Sequence, residues 1–398
     1  MKIALVGGGS SAHVLAPLLS KSGHSVYILT RRPREWHQEL ELFFQLKGAM
    51  PEFSVRGKLF RVSGEPHEII PFCDIVLLCM PVHQYRNALR WIAPYIRNES
   101  GVFVGTVYGQ GNLSWMSKEL KEHYPLDQVC WFSFGLLPWI CRTIAYGKSA
   151  VTYGSKFINC LAISSLECLE ELRTFLYDVC EHWFGQGKFL ATDNFLSLSL
   201  SVDNQVIHPA RCFGLFKRYG MEWDREEDIP FFYRDFDDLS AEILANLDQD
   251  YSKIRRGLKK RFPQLDWQYM LDYLELERFS YHSCNTDIKK SFTDSSTLGR
   301  IKPPVIFNNN GKYALDRGHR FFLDDFNYGL CIAKWFADKM NMEVGTIDDI
   351  LEWGRGICGE SYVISPRFHI ADKDIATTKY GIPPSYGLES LESAVIFE

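Results

Sequence analysis

The feature that most constrains this chain is its opening. Residues 3–6, IALV, are wholly apolar, Gly7-Gly8-Gly9 follows at once, and Ala12, Val14, Leu15, Leu18 and Leu19 then recur at helical spacing. An unbroken apolar run of that length reads as a parallel strand buried on both faces, and apolar steps of three and four as the buried stripe of a helix. Further strands are expected at residues 24–29, at 74–80 ending in Pro81, and at 101–106, with a helix at 85–96 between the last two. Apolar runs at 129–134 and 157–163, a helix at 166–184 and a strand at 188–191 continue the alternation. Strands alternating with helices predict an α/β fold built on a doubly wound parallel sheet, a Rossmann arrangement.

At 398 residues the chain is too long for one core, so two domains are expected. The alternation stops near residue 190, and a long helical stripe, Leu239, Ile243, Leu244, Leu247, Tyr251, Ile254 and Leu258, takes over. The expected division is a Rossmann domain over 1–190 and a mostly α-helical domain over 191–398. A continuous helix near 190–205 is expected to join them, with a ligand cleft between the two.

Within the opening, Gly7-x-Gly9-x-x-Ala12 is a G-x-G-x-x-A pattern set after a strand and at a helix start. The first glycine permits the turn, the second lets backbone approach a pyrophosphate, and Ala12 allows close helix–strand packing. Ser10 and Ser11 fall at the helix N-terminus, where amides attract phosphate. A glycine turn that binds nothing, or binds a flavin, is the alternative; the strand, helix and second strand around it favour a dinucleotide. The second strand ends in Thr30-Arg31-Arg32, with no acid to accept from a ribose 2'-hydroxyl. Two guanidiniums suit a 2'-phosphate, so NADP(H) is favoured and NAD(H) stays open, as does the reading of both arginines as loop surface charge. With Pro81, these residues are the expected cofactor contacts.

A net charge of −5 and a pI near 6.2 argue against nucleic acid or an anionic membrane as partner. The basic run at 253–261 reads as a solvated helix face, and no apolar run is long enough for a membrane span. Eleven cysteines without a C-x-x-C pair, after a strand-like rather than signal-like start, predict reduced thiols in the cytoplasm. The dispersed histidines show no ligand spacing, so no metal site is expected.

For chemistry, His208 precedes Pro209 in NQVIHP, and an imidazole can both give and take a proton near neutral pH. The stretch RGHRFFLDD offers Asp324 or Asp325 to orient it and Arg320 to hold a substrate carboxylate by two contacts. The plainer alternative is a helix start capped by an acid, Asp324.

These motifs resemble the opine dehydrogenases of the octopine/nopaline type nearly end to end. The resemblance is carried by GGGSSAH at the start, FSFGLLPWICR at 132–142, VIHP at 206–209, FFYRDFDDLSAEIL at 231–244, HRFFLDD at 319–325 and DIATTKYGIPPSYG at 374–387. It implies a Rossmann domain, a helical second domain like that of 6-phosphogluconate dehydrogenase, and condensation of an amino acid with an α-keto acid followed by NAD(P)H reduction of the imine. It further implies His208 as acid/base, Asp325 as its partner, Arg320 on a substrate carboxylate and Gln110 on the keto acid. Octopine-forming members carry an acid where this chain has Gly135 beside Leu136. A smaller or more apolar amino acid than arginine is therefore expected, with pyruvate as keto acid.

Thr377, Thr378 and Tyr386 are expected to close over the substrate, with packing of a terminal loop as the alternative, while Cys141 reads as a buried thiol and His13 as a helix-start residue near the cofactor. The expected state is a monomer or homodimer. Two other classes would use the same parts: a 2-hydroxyacid or polyol-phosphate dehydrogenase, which needs no amine, and a dinucleotide-binding sensor without turnover.

Overall fold

The structure, a computed structural model, describes residues 1–46, 50–201, 203–283, 286–293, 299, 301–358 and 380–396. The chain divides into two units, Met1–Ser199 and Leu200–Ile396.

In the first unit the apolar runs become β1 (Lys2–Val6), β2 (Ser25–Leu29), β3 (Glu39–Phe44), β4 (Phe53–Lys58), β5 (Arg61–Ser63), β6 (Ile75–Leu78), β7 (Phe103–Thr106), β8 (Cys130–Phe134), β9 (Trp139–Ala145), β10 (Ser149–Ser155), β11 (Ile158–Ile163) and β12 (Lys188–Thr192). Eight of them form one sheet in the order β12-β11-β8-β7-β6-β1-β2-β5. Every neighbour in it is parallel except β8 with β11. The helices are α1 (Ser10–Lys21), α2 (Tyr85–Ile92), α3 (Leu113–Lys121), α4 (Leu169–Leu176), α5 (His182–Phe184) and α6 (Phe195–Ser199). The Rossmann reading of the alternation is thus correct. The expected helix at 85–96 stops at Ile92, because Pro94 lacks the amide that would continue it. The one at 166–184 is broken by a π turn, Tyr177–Glu181.

Alternation gave no sign of a second, four-stranded sheet in the order β4-β3-β10-β9. Its strand β3 pairs in parallel with β10, far along the chain, so no local pattern announces it. Helix α1 packs against this sheet as well as against β1 and β2. The approach is close at Gly57, where a Cβ would lie 2.4 Å from Pro17 Cα.

The first unit runs to Ser199 rather than to residue 190. Strand β12 pairs with β11, α6 packs on β11, and Ser199 Oγ donates to the Gly109 carbonyl at 2.9 Å. The expected continuous helix over 190–205 is replaced by this strand, the short α6 and a new helix whose first amide, that of Asn204, donates to the Asp203 side chain.

That helix is α7 (Asn204–Tyr219), and the second unit continues with α8 (Asp238–Arg261), α9 (Tyr273–Tyr281), α10 (Ile288–Thr293), α11 (Arg320–Leu323), α12 (Cys331–Lys339) and α13 (Gly345–Cys358). A small antiparallel sheet joins β13 (Glu222–Trp223), β14 (Val305–Phe307) and β15 (Tyr313–Leu315). The stripe of α8 is buried from Ile243 to Leu258. Its basic run is exposed except at Arg255, which is buried on Asp248 at 2.8 Å and the Leu200 carbonyl at 2.9 Å. Among the described residues no helix is long and apolar enough to cross a membrane.

Because backbone, not a flexible side chain, fills the space over Gly57, Gly57→Ala forces α1 away from the second sheet. We expect its thermal transition to fall by roughly 4–10 °C, read by circular dichroism, as overpacking of about 1–3 kcal/mol implies.

Candidate active site

The carboxyl ends of the parallel strands collect most of the first unit's expected site residues, which is where open α/β sheets bind ligands. Gly7 follows β1 with φ +105°, and Gly9 donates to the Cys79 carbonyl at 3.1 Å. A Cβ at Gly7 or Gly9 would lie 2.9 or 2.8 Å from that carbonyl, so only glycine lets the loop press against the end of β6. No side chain caps the N-terminus of α1, and Ser10 and Ser11 open its first turn. Ala12 is fully buried against the sheet. A tight bare-backbone loop leading into an uncapped twelve-residue helix fits a dinucleotide pyrophosphate. Pro81 lies exposed just beyond β6.

Thr30 follows β2, buried, and its Oγ1 accepts from the Arg32 amide at 3.3 Å. Arg31 and Arg32 are exposed. An acid does follow a little further along the chain: Glu35 reaches Arg32 at 3.2 Å. Both partners are about half exposed, so water screens the pair and a phosphate can displace the carboxylate. Gln110, past β7, is buried, and Gly135 and Leu136 follow β8. The two loops are tied by Gly109 donating to the Gly135 carbonyl at 3.1 Å.

In the second unit, His208 and Asp325 meet. Helix α7 places His208 in its second turn, and Asp325 stands between α11 and a π turn, Phe326–Leu330, a helix irregularity that recurs at functional sites. His208 Nδ1 lies 2.7 Å from Asp325 Oδ2, with side chains 1% and 0% exposed. A carboxylate there fixes the proton on Nδ1, leaving Nε2 to exchange one. Phe321 stacks on the imidazole at 3.6 Å and Phe232 meets it edge-on at 5.7 Å. Arg320, half-buried, begins α11, its guanidinium 5.4 Å from the Phe321 ring. The cap of α11 is His319, accepting from Phe321 N at 3.4 Å, whereas Asp324 sits at the other end of that helix. Burial, with Arg320 and His208 nearby, pushes the His319 pKa down to about 4, so it stays neutral at physiological pH.

Two side chains went unread in the sequence. Tyr233 places its hydroxyl 3.4 Å from His208 Nε2. Arg211, one helical turn after His208 and fully buried, donates to the carbonyls of Phe231, Phe232 and Asp235, which bracket Tyr233. The FFYRDFDD stretch carried the signal for Tyr233, as a family motif whose individual roles were not assigned, whereas Arg211 lies just past the VIHP motif. Thr377 and Thr378 lie outside the described residues. Cys141 is buried, which pushes its thiol up to about 11 and leaves it without thiolate character. Among the described residues no group of His, Cys, Asp and Glu could hold a metal ion.

His13 is buried and clasps the glycine loop. Its Nδ1 donates to the Gly9 carbonyl at 3.0 Å and its Nε2 accepts from Gly147 N at 2.7 Å, which requires a neutral ring. Burial lowers its pKa below 6.5. The folded state therefore holds fewer protons than the unfolded one, and His13 contributes stability above about pH 6.5 that is lost as pH falls through the lowered value. Melting temperatures followed from pH 7.5 to 5 are expected to fall less steeply for His13→Leu than for the wild type.

A family model described as NAD/NADP octopine/nopaline dehydrogenase, alpha-helical domain, matches residues 191–358, and one described as NADP oxidoreductase, coenzyme F420-dependent, matches residues 2–103. The chain is 22% identical to an opine dehydrogenase of Haliotis discus hannai, over 99% of this chain and 98% of the relative. It is 23% identical to a tauropine dehydrogenase of Arabella iricolor, over 98% and 99%. A solved octopine dehydrogenase with NADH and L-arginine shares the fold at a TM-score of 0.80 and 21% identity, over 99% and 98% of the two chains. The chain is thus similar to opine dehydrogenases over its whole length, and its helical half matches the octopine/nopaline dehydrogenase family model.

Proposed function

We propose that the protein condenses the amino group of an amino acid with an α-keto acid, pyruvate foremost, and reduces the resulting imine, using NADPH in preference to NADH. The observation that carries this reading is the buried His208–Asp325 pair with Arg320 close by, in a chain whose other unit bears a dinucleotide loop.

Gly7, Gly9, Ser10, Ser11 and Ala12 would hold the pyrophosphate, Thr30, Arg31 and Arg32 the adenosine end, and Pro81 the strand edge beside them. When bound, the reduced nicotinamide supplies the hydride that turns the imine into a secondary amine. The rest falls to the protein. His208, protonated at Nε2, polarises the keto-acid carbonyl and delivers the proton with which its oxygen leaves as water. In the reverse direction neutral Nε2 takes a proton back. Asp325 holds the ring in that tautomer and stabilises the imidazolium, while Phe321 and Phe232 keep water from its faces. Arg320 would clamp a substrate carboxylate by two parallel hydrogen bonds and Gln110 would touch the keto acid.

The amino acid is proposed to be small or apolar. Gly135 offers no acid to pair with a basic side chain, and a Cβ there would lie 3.1 Å from Cys160 Cβ, tight enough that the neighbour would have to shift. Leu136 beside it is buried and apolar. The preference for NADPH is supported by the absence of an acid at Thr30 and by the two arginines after it.

The test is nicotinamide absorbance with NADPH or NADH, pyruvate, and each of the twenty amino acids in turn. Oxidation that requires an amino acid is expected. Oxidation with pyruvate alone would replace this reading by a 2-hydroxyacid dehydrogenase, and silence with every pair would favour a sensor. For the assignment of Asp325, Asp325→Asn is expected to lower kcat about a thousandfold or more while cofactor affinity stays unchanged, because an amide favours the wrong imidazole tautomer.

A further inference from the structure

The glycine loop holds one more glycine than its fingerprint needs. Gly7 and Gly9 are explained by the Cys79 carbonyl, but a Cβ at Gly8 would meet something else: the Tyr146 hydroxyl, at 2.2 Å. Tyr146 opens the turn between β9 and β10, strands of the second sheet. Next to it Gly147, at φ +66°, donates to His13 Nε2, and a Cβ on Gly147 would lie 2.1 Å from the Glu35 carbonyl. The turn is thus wedged between the dinucleotide loop and the segment that follows β2.

What surrounds Tyr146 is the end of β2. Its hydroxyl accepts from Trp36 Nε1 at 3.3 Å and lies 3.5 Å from Thr30 Oγ1. The Arg32 guanidinium carbon stands 3.8 Å from the ring centroid. Residues at this strand end discriminate the adenosine 2' position in dinucleotide folds. An arginine on an exposed loop samples many rotamers, whereas one laid on an aromatic face is held at a fixed place with its edge still able to donate.

We propose that Tyr146 is a specificity-determining residue for the phosphorylated dinucleotide: its ring positions Arg32 beside Thr30 for the adenosine 2'-phosphate. The proposal rests on the NADPH preference put forward above. Tyr146 acts through Arg32 and is a positioning residue. Gly8, His13 and Gly147 serve to seat it, which gives a purpose to residues of the opening motif that the fingerprint leaves over.

The test reads binding, without turnover. Dissociation constants for NADPH and NADH are measured by fluorescence on the full chain for the wild type, Tyr146→Ala, Tyr146→Phe, Arg32→Ala and the Tyr146→Ala/Arg32→Ala double variant. The wild type is expected to bind NADPH more tightly than NADH by about tenfold or more, and Tyr146→Ala to erase most of that ratio with little change for NADH. Tyr146→Phe keeps the ring and should keep the ratio, and the double variant should be no worse than Arg32→Ala. A Tyr146→Ala variant that weakens both cofactors equally, or leaves the ratio unchanged, overturns the proposal. If Tyr146→Ala fails to fold, Tyr146→Leu takes its place with the same expectation. A wild type that binds both cofactors alike overturns the NADPH preference itself, a result visible before any variant is made.

Discussion

A carboxylate with no exposed surface stands only if something compensates its charge, and in this protein that partner is an imidazole. Asp325 and His208 are both sealed from water and 2.7 Å apart. Removing either partner of such a buried pair typically costs about 3–5 kcal/mol. Much of the helical unit serves to keep the pair together: α7 carries the histidine, α11 and the π turn bring the aspartate, and Phe321 and Phe232 close the ring faces. Arg211, by gripping the carbonyls of Phe231, Phe232 and Asp235 on either side of Tyr233, fixes what stands at the remaining nitrogen. Such a buried pair is costly to build, and proton transfer at Nε2 is the chemistry it suits.

The other unit works by exclusion of side chains. Gly7 and Gly9 bring bare backbone against Cys79, and Gly8 admits Tyr146. Three adjacent glycines therefore answer two different neighbours, one along the main sheet and one from the second. His13 couples the two by bonding Gly9 and Gly147 at once. Cofactor loop and inserted sheet are in this way a single construction.

Local patterns made the Rossmann half legible. The apolar run before Gly7 became β1, the stripe after it α1, and the run before Pro81 β6. What escaped was non-local. Strand β3 is completed by β10, Arg32 by Tyr146, and His208 by Tyr233, and none of these partners sits at a spacing that periodicity reveals. The pairing of His208 with Asp325 was anticipated through the family resemblance rather than through spacing. The alternative of an acidic cap at Asp324 is not what the chain adopts: His319 caps α11, and Asp324 sits at the other end of that helix.

The most direct measurement compares chemistry with binding in His208→Ala. With NADPH, keto acid and amino acid saturating, kcat is expected to fall at least about a hundredfold, with the dissociation constant for NADPH unchanged, since the imidazole acts on protons and not on the dinucleotide. A variant that keeps wild-type turnover would contradict the account, and would leave the buried pair as a structural feature only.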